Sequence, residues 1–159
     1  MSEGKDKKKY IAYCGLYCGD CPWYTGKIAD SARDLRKELR DTRFDKLAEF
    51  ISDFPQFYVY KNYLQCYEVL GALMKGRCKR ACQEGGGPLS CTVRKCCQRR
   101  DISGCWECAE FEKCDKLDFL KNGHGDAHLK NLRIIRWKGT NAFLSGKKYW
   151  FTVIKNGSR

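Results

Sequence analysis

Arg77-Cys-Lys-Arg-Ala-Cys-Gln-Glu-Gly-Gly-Gly-Pro-Leu-Ser-Cys-Thr-Val-Arg-Lys-Cys-Cys97 is the stretch on which the reading of this chain turns. It sets Cys78, Cys82, Cys91, Cys96 and Cys97 around three successive glycines, with Leu89 and Val93 as its only large aliphatics. Continued to residue 117 it adds Cys105, Cys108 and Cys114. Ordering a backbone costs roughly 1–2 kcal/mol per residue, and a segment this poor in apolar side chains cannot offset that by burial. A metal that ties thiolates together can, so metal is expected to organise it.

A second cluster lies upstream, Cys14-Gly-Leu-Tyr-Cys18-Gly-Asp-Cys21-Pro22, with Gly15, Gly19 and Pro22 supplying tight turns. Three thiols in so short a span are three ligands for one ion, and a tetrahedral site needs a fourth from elsewhere. The candidate metal ligands are thus Cys14, Cys18, Cys21, Cys78, Cys82, Cys91, Cys96, Cys97, Cys105, Cys108 and Cys114. The twelfth cysteine, Cys66, falls between Tyr63 and Leu70 in a helical pattern and reads as a small buried hydrophobe.

Compartment decides between metal and disulfides. Residues 1–9 are charged and lack the apolar run of a secretory signal. The longest apolar run, residues 149–154, is far shorter than the roughly 20 residues that span a bilayer. A cytoplasmic, non-membrane protein is expected, where dense cysteines read as metal sites rather than a disulfide framework.

Zinc suits thiolate-rich tetrahedral sites, and is the expected metal. An iron-sulfur cluster is the alternative, because Cys14-x3-Cys18-x2-Cys21 is also the spacing of radical S-adenosylmethionine enzymes. Those enzymes need a partial α/β barrel and carry an aromatic residue where this chain has Asp20. A redox reading of Cys18-x2-Cys21 and Cys105-x2-Cys108 expects a CxxC pair at a helix start after a strand, which neither context offers. His124 and His128 complete the spacing of a two-cysteine, two-histidine finger with Cys105 and Cys108, but Gly123 and Gly125 interrupt the helix it would need.

Around the cysteines the pattern is helical. Leu35, Leu39, Leu47, Phe50, Ile51 and Phe54 recur at helical spacing over residues 28–54, with a break near Asp41 and Thr42. Pro55 opens a second helix whose stripe is Tyr60, Tyr63, Leu64, Tyr67, Leu70 and Met74, and Gly76 is placed to end it in a left-handed conformation. These two helices are expected to supply most of the core. A third follows Asp126 as N-cap and ends near Gly139, Thr140 caps a short fourth through Leu144, and residues 149–154 form a strand or extended arm. The fold class is therefore mostly α with irregular cysteine-rich metal-binding loops: a disordered basic tail at 1–9, then one small domain over 10–159, with a short C-terminal strand.

Lysine and arginine number 31 against 19 acidic residues, a formal balance of +12. Each zinc with four thiolates carries a charge near −2, so two such sites lower the balance to about +8 and three to about +6. A polyanion remains the physical guess for a partner, through Lys75-Gly-Arg-Cys-Lys-Arg80 and Arg94-Lys-Cys-Cys-Gln-Arg-Arg100 beside Trp106. The competing reading is that these cations neutralise thiolates. No glutamate stands beside a ligand histidine as in hydrolytic zinc enzymes, so structural zinc in a module that binds nucleic acid or protein is preferred to an enzyme. Nothing in the pattern specifies an oligomeric state.

The chain resembles the cysteine-rich domain of unknown function 3795 family. The resemblance rests on Tyr13-Cys-Gly-Leu-Tyr-Cys-Gly-Asp-Cys-Pro22, Gly85-Gly-Gly-Pro-Leu-Ser-Cys91, Thr92-Val-Arg-Lys-Cys-Cys97, and Gly104-Cys-Trp-Glu-Cys-Ala-Glu-Phe111 followed by Cys114. It implies a zinc-binding domain without an established activity, and recurring cysteines at Cys14, Cys18, Cys21, Cys82, Cys91, Cys96, Cys105, Cys108 and Cys114. Cys78 departs from that pattern by one residue, and Cys66 has no counterpart in it.

Overall fold

A computed structural model describes residues 7–152. In chain order its α-helices are α1 (Pro22–Thr25), α2 (Lys27–Asp41), α3 (Phe44–Ile51), α4 (Tyr63–Lys75), α5 (Thr92–Arg99), α6 (Leu120–His124) and α7 (Ala127–Ser145). Short 3-10 turns join many of them, including Cys18–Asp20, Cys82–Glu84, Cys105–Glu107 and Asp115–Leu117. The described residues are mostly helical and contain no strand; Ile11 and Tyr17 form one isolated antiparallel bridge. Of the expected C-terminal strand or extended arm, the described residues form an arm without strand pairing as far as Thr152, and Val153 and Ile154 lie outside the described residues. So does most of the 1–9 tail, although Lys8–Tyr10 close a 3-10 turn.

The chain falls into two compact units, Thr25–Cys78 and the segments that flank it. Within Thr25–Cys78, α2 packs on α4. Gly71 makes room for the Arg36 guanidinium, which lies 4.1 Å from the centre of the Tyr67 ring, and Arg77 closes on Asp30 at 2.7 Å. Arg43, at φ +53, breaks the helical run after Thr42 and starts α3, whose Phe44 ring meets Tyr60 and Tyr63. Residues 55–62 form a 3-10 helix before α4 begins.

Three expectations for this unit are corrected. It does not supply most of the core: it buries only Gly26, Ala29, Ala32, Ala48 and Gly71 among its described residues, while Phe50 is 66% and Leu64 70% exposed. An amphipathic stripe fixes which way a helix faces, and two helices alone cannot cover each other's stripes. Cys66 is exposed rather than buried: it lies on the flank of the stripe formed by Tyr63, Tyr67 and Leu70, where nothing covers it. Gly76 ends α4 at φ −72, without the left-handed turn.

The main core lies in the flanking unit. Ala12, Tyr13, Leu16, Val93, Phe111, Leu117, Leu120 and Leu132 pack together, and Ile11, Ile135 and Phe143 form a smaller group. α7 is a bent helix: Gly139 takes φ +82, which marks the predicted break between a third and a fourth helix. The C-terminal arm is stitched to α6 and α7 by polar groups. Asn131, fully buried, donates to the Tyr149 carbonyl (2.8 Å) and accepts from the Tyr149 amide (3.0 Å). The Thr152 amide donates to the His124 carbonyl at 3.2 Å.

Candidate metal centre

The first cysteine cluster is placed by a tight turn. The Ala12 amide donates to Leu16 O and the Gly15 amide to Ala12 O, both at 2.8 Å, with Gly15 at φ +84. A β-carbon on Gly15 would sit 2.8 Å from Leu132 Cγ, so only glycine lets this turn lie against α7. Cys18 opens the following 3-10 turn, in which the Cys21 amide donates to Cys18 O at 3.0 Å.

Four hydrogen bonds draw the later clusters to it. The Cys105 amide donates to Tyr13 O (2.8 Å), the Cys82 amide to Cys18 Sγ (3.4 Å), and the Gln83 side chain bridges Ile11 O and Ser103 O. As a result Cys97 and Cys105 are buried in the main core, and Cys14, Cys18, Cys82, Cys91, Cys108 and Cys114 pack against it. All twelve cysteines are thiols rather than disulfides. Cys96 lines a cavity of about 540 Å3 together with Cys97, Cys105, Cys108 and Cys114. Of the other predicted ligands, Cys21 follows Cys18 in its turn and Cys78 belongs to the other unit.

Two groupings emerge. Burial pushes the Cys14 thiol up to about 12; the Leu16 backbone opposes this, and the nearby sulfurs of Cys82, Cys91 and Cys18 add to it. The Cys97 and Cys105 sulfurs are 3.7 Å apart. A proton shared in that pair holds Cys97 below the ordinary thiol range and Cys105 above it, with burial adding to the second. Among the described residues, no group of three or more His, Cys, Asp or Glu side chains is arranged to hold a metal ion. The donors fit a thiolate metal in kind, and at one spacing, without closing around it.

Comparison with known proteins bears on this clustering. The model of a family described as a protein of unknown function, DUF3795, matches residues 10–119. The chain belongs to this family. No curated protein and no solved structure matches it. The matched span contains every cysteine of this DUF3795 chain and stops just before α6.

The structure also shows what the cations of the 94–100 run do. Arg94 is buried: its guanidinium donates to the Gly85 carbonyl (3.3 Å) and the Gly86 carbonyl, and it reaches Cys82 Sγ at 4.0 Å. Arg100 donates to Cys108 Sγ at 3.3 Å. Both therefore serve the sulfurs of this DUF3795 chain, and the reading of the whole run as a nucleic-acid surface is corrected for Arg94. The signal was legible, since Val93, Arg94 and Cys97 share one helix face. His128 carried no such signal: it is fully buried in α7, and neither ring nitrogen has a hydrogen-bond partner. His124 pairs with the Trp150 carbonyl at 2.8 Å, so it anchors the arm.

Proposed function

We propose that this chain is a zinc-binding protein whose metal sites are structural, ordering loops into a scaffold that binds another macromolecule. The observation that carries the reading is the 3.7 Å separation of the Cys97 and Cys105 sulfurs. At a zinc-sulfur distance of about 2.3 Å, the edge of a tetrahedral tetrathiolate is about 3.8 Å. Cys97, Cys105, Cys108 and Cys114 would hold one ion, and Cys14, Cys18, Cys82 and Cys91 a second. Amide and guanidinium N–H groups already aimed at Cys18 and Cys108 supply hydrogen bonds of the kind that ligand sulfurs accept. Closed sites of this kind give stability and no open position for a substrate.

An iron-sulfur cluster is the second reading, favoured by the size of the cavity beside the second set, about 540 Å3. Its radical S-adenosylmethionine form lacks a scaffold, because the described residues contain no strand. Elemental analysis and an absorption spectrum of anaerobically purified protein decide between the two. About two zinc per chain without colour supports the first, iron with acid-labile sulfide supports the second, and metal-free protein with intact fold overturns both.

A further inference from the structure

α5 has a second face. Its buried side holds Val93, Arg94 and Cys97. Thr92, Lys95, Gln98 and Arg99 lie on the opposite side and, with Lys116 from the 3-10 turn Asp115–Leu117, line an open groove of about 530 Å3. Three cations and two neutral hydrogen-bonding side chains meet there, and no carboxylate lines it. Lys95 and Arg99 are like charges four residues apart, which disfavours the helix unless an anion sits between them. Among the described residues neither has an ion-pair partner, and Lys116 has only a loose one, Asp115 at 3.6 Å.

We infer that this groove binds the phosphodiester backbone of single-stranded nucleic acid. The inference rests on the binding-module reading above and assigns it a surface and a partner. Arginine and lysine supply charge-assisted donors to phosphate oxygens, and Thr92 and Gln98 supply neutral ones. The groove is open, as a flexible strand requires. Phe119, one turn beyond Lys116 and 57% exposed, offers a ring on which a base can stack. A protein partner would be expected to bury apolar surface, and the groove's lining has no large apolar side chain.

The test is fluorescence anisotropy of the full chain with labelled twelve-nucleotide oligouridine and oligothymidine. Three phosphate contacts give a salt slope of about −2, so affinity should fall about 20-fold between 50 and 200 mM salt. The Lys95→Gln, Arg99→Gln double variant should bind at least tenfold more weakly at 50 mM salt, with a slope of about −0.7. Metal content and circular dichroism of the variant should match the parent. Absence of binding at low salt, or equal binding by the variant, overturns the inference. Oligouridine and oligothymidine should bind alike, and a preference above tenfold would instead point to recognition of the base or sugar and overturn the backbone reading. Metal analysis of the same samples separates the two proposals: binding without zinc keeps the groove and removes the zinc reading, and zinc without binding does the reverse.

Discussion

Acidification should destabilise the unit built around α7, through one imidazole. His128 is fully buried, with no partner on either ring nitrogen, so burial pushes its pKa from 6.5 down to about 4. The positive charges of His124 and Lys121 act in the same direction, and Asp126 and Asp118 act against it. In the unfolded chain this imidazole takes up a proton near pH 6.5, and in the folded chain only near pH 4. Between those values the unfolded state holds more protons, so the contribution is fully present above pH 6.5 and is lost as the pH falls. Across the whole interval the loss is about 3 kcal/mol, of which about 2 kcal/mol is gone by pH 5. Urea unfolding at pH 7 and pH 5 reads this when the parent is set against His128→Leu, since acid release of metal affects both alike. The parent should lose about 2 kcal/mol more than the variant. An NMR titration gives the imidazole midpoint directly, and a value at or above 6.5 would refute the reasoning whatever the variant does.

Cys97→Ser should lower bound zinc by about one per chain, whereas Cys66→Ser, on the exposed face of α4, should leave it unchanged; elemental analysis checks both. Gly125→Ala should free the C-terminal arm, because at φ +61 a β-carbon would lie 1.8 Å from Thr152 O; faster hydrogen exchange at the Thr152 amide, bonded to His124 O, would show it. Removing zinc with a chelator should expose the amides of residues 79–117 to exchange while α2 and α4 stay protected, since the Thr25–Cys78 unit holds only Cys66 and Cys78. Uniform loss of protection across both regions would count against structural sites confined to the flanking unit.

The longer helices were legible in the sequence, whereas α5, which lies in a stretch read as irregular, and the core were not. Periodicity reports a local property, so the runs behind α2, α3, α4 and α7, and a break near Asp41 and Thr42, could be read from the sequence alone. Burial is non-local. Tyr13, Leu16, Val93, Leu117 and Leu132 have no common period, and they meet only because turns at Gly15, at Gly85 to Gly87 and at Gly104 fold the cysteine clusters back on one another. The large apolar residues of 28–74 had the clearest pattern and are among the most exposed, with Phe50 and Leu64 as examples. At the site, sequence spacing identified the thiols but could not pair Cys97 with Cys105, or place Cys14 among Cys18, Cys82 and Cys91, because those proximities cross from one cluster to another.

The basic composition takes on meaning only after the cations are sorted by what they touch. Arg77 and Arg33 meet Asp30, and Arg133 meets Glu112, so these charges are compensated at the surface and contribute little to stability. Arg94 and Arg100 are directed at sulfur, where they would offset the negative charge of a thiolate site. The cations that α5 presents to the groove are then Lys95 and Arg99, beside Lys116. A formal charge of +12 would suggest a steep, diffuse dependence on salt, whereas a three-cation groove requires a shallow one near −2. The two faces of α5 are also coupled, because Cys97 and Arg94 fix the rotation of the helix that aims Lys95 and Arg99 outward. On the two proposals above, metal and nucleic acid would act on the same helix from opposite sides, and removal of the first would be expected to weaken the second without any ligand residue touching a phosphate.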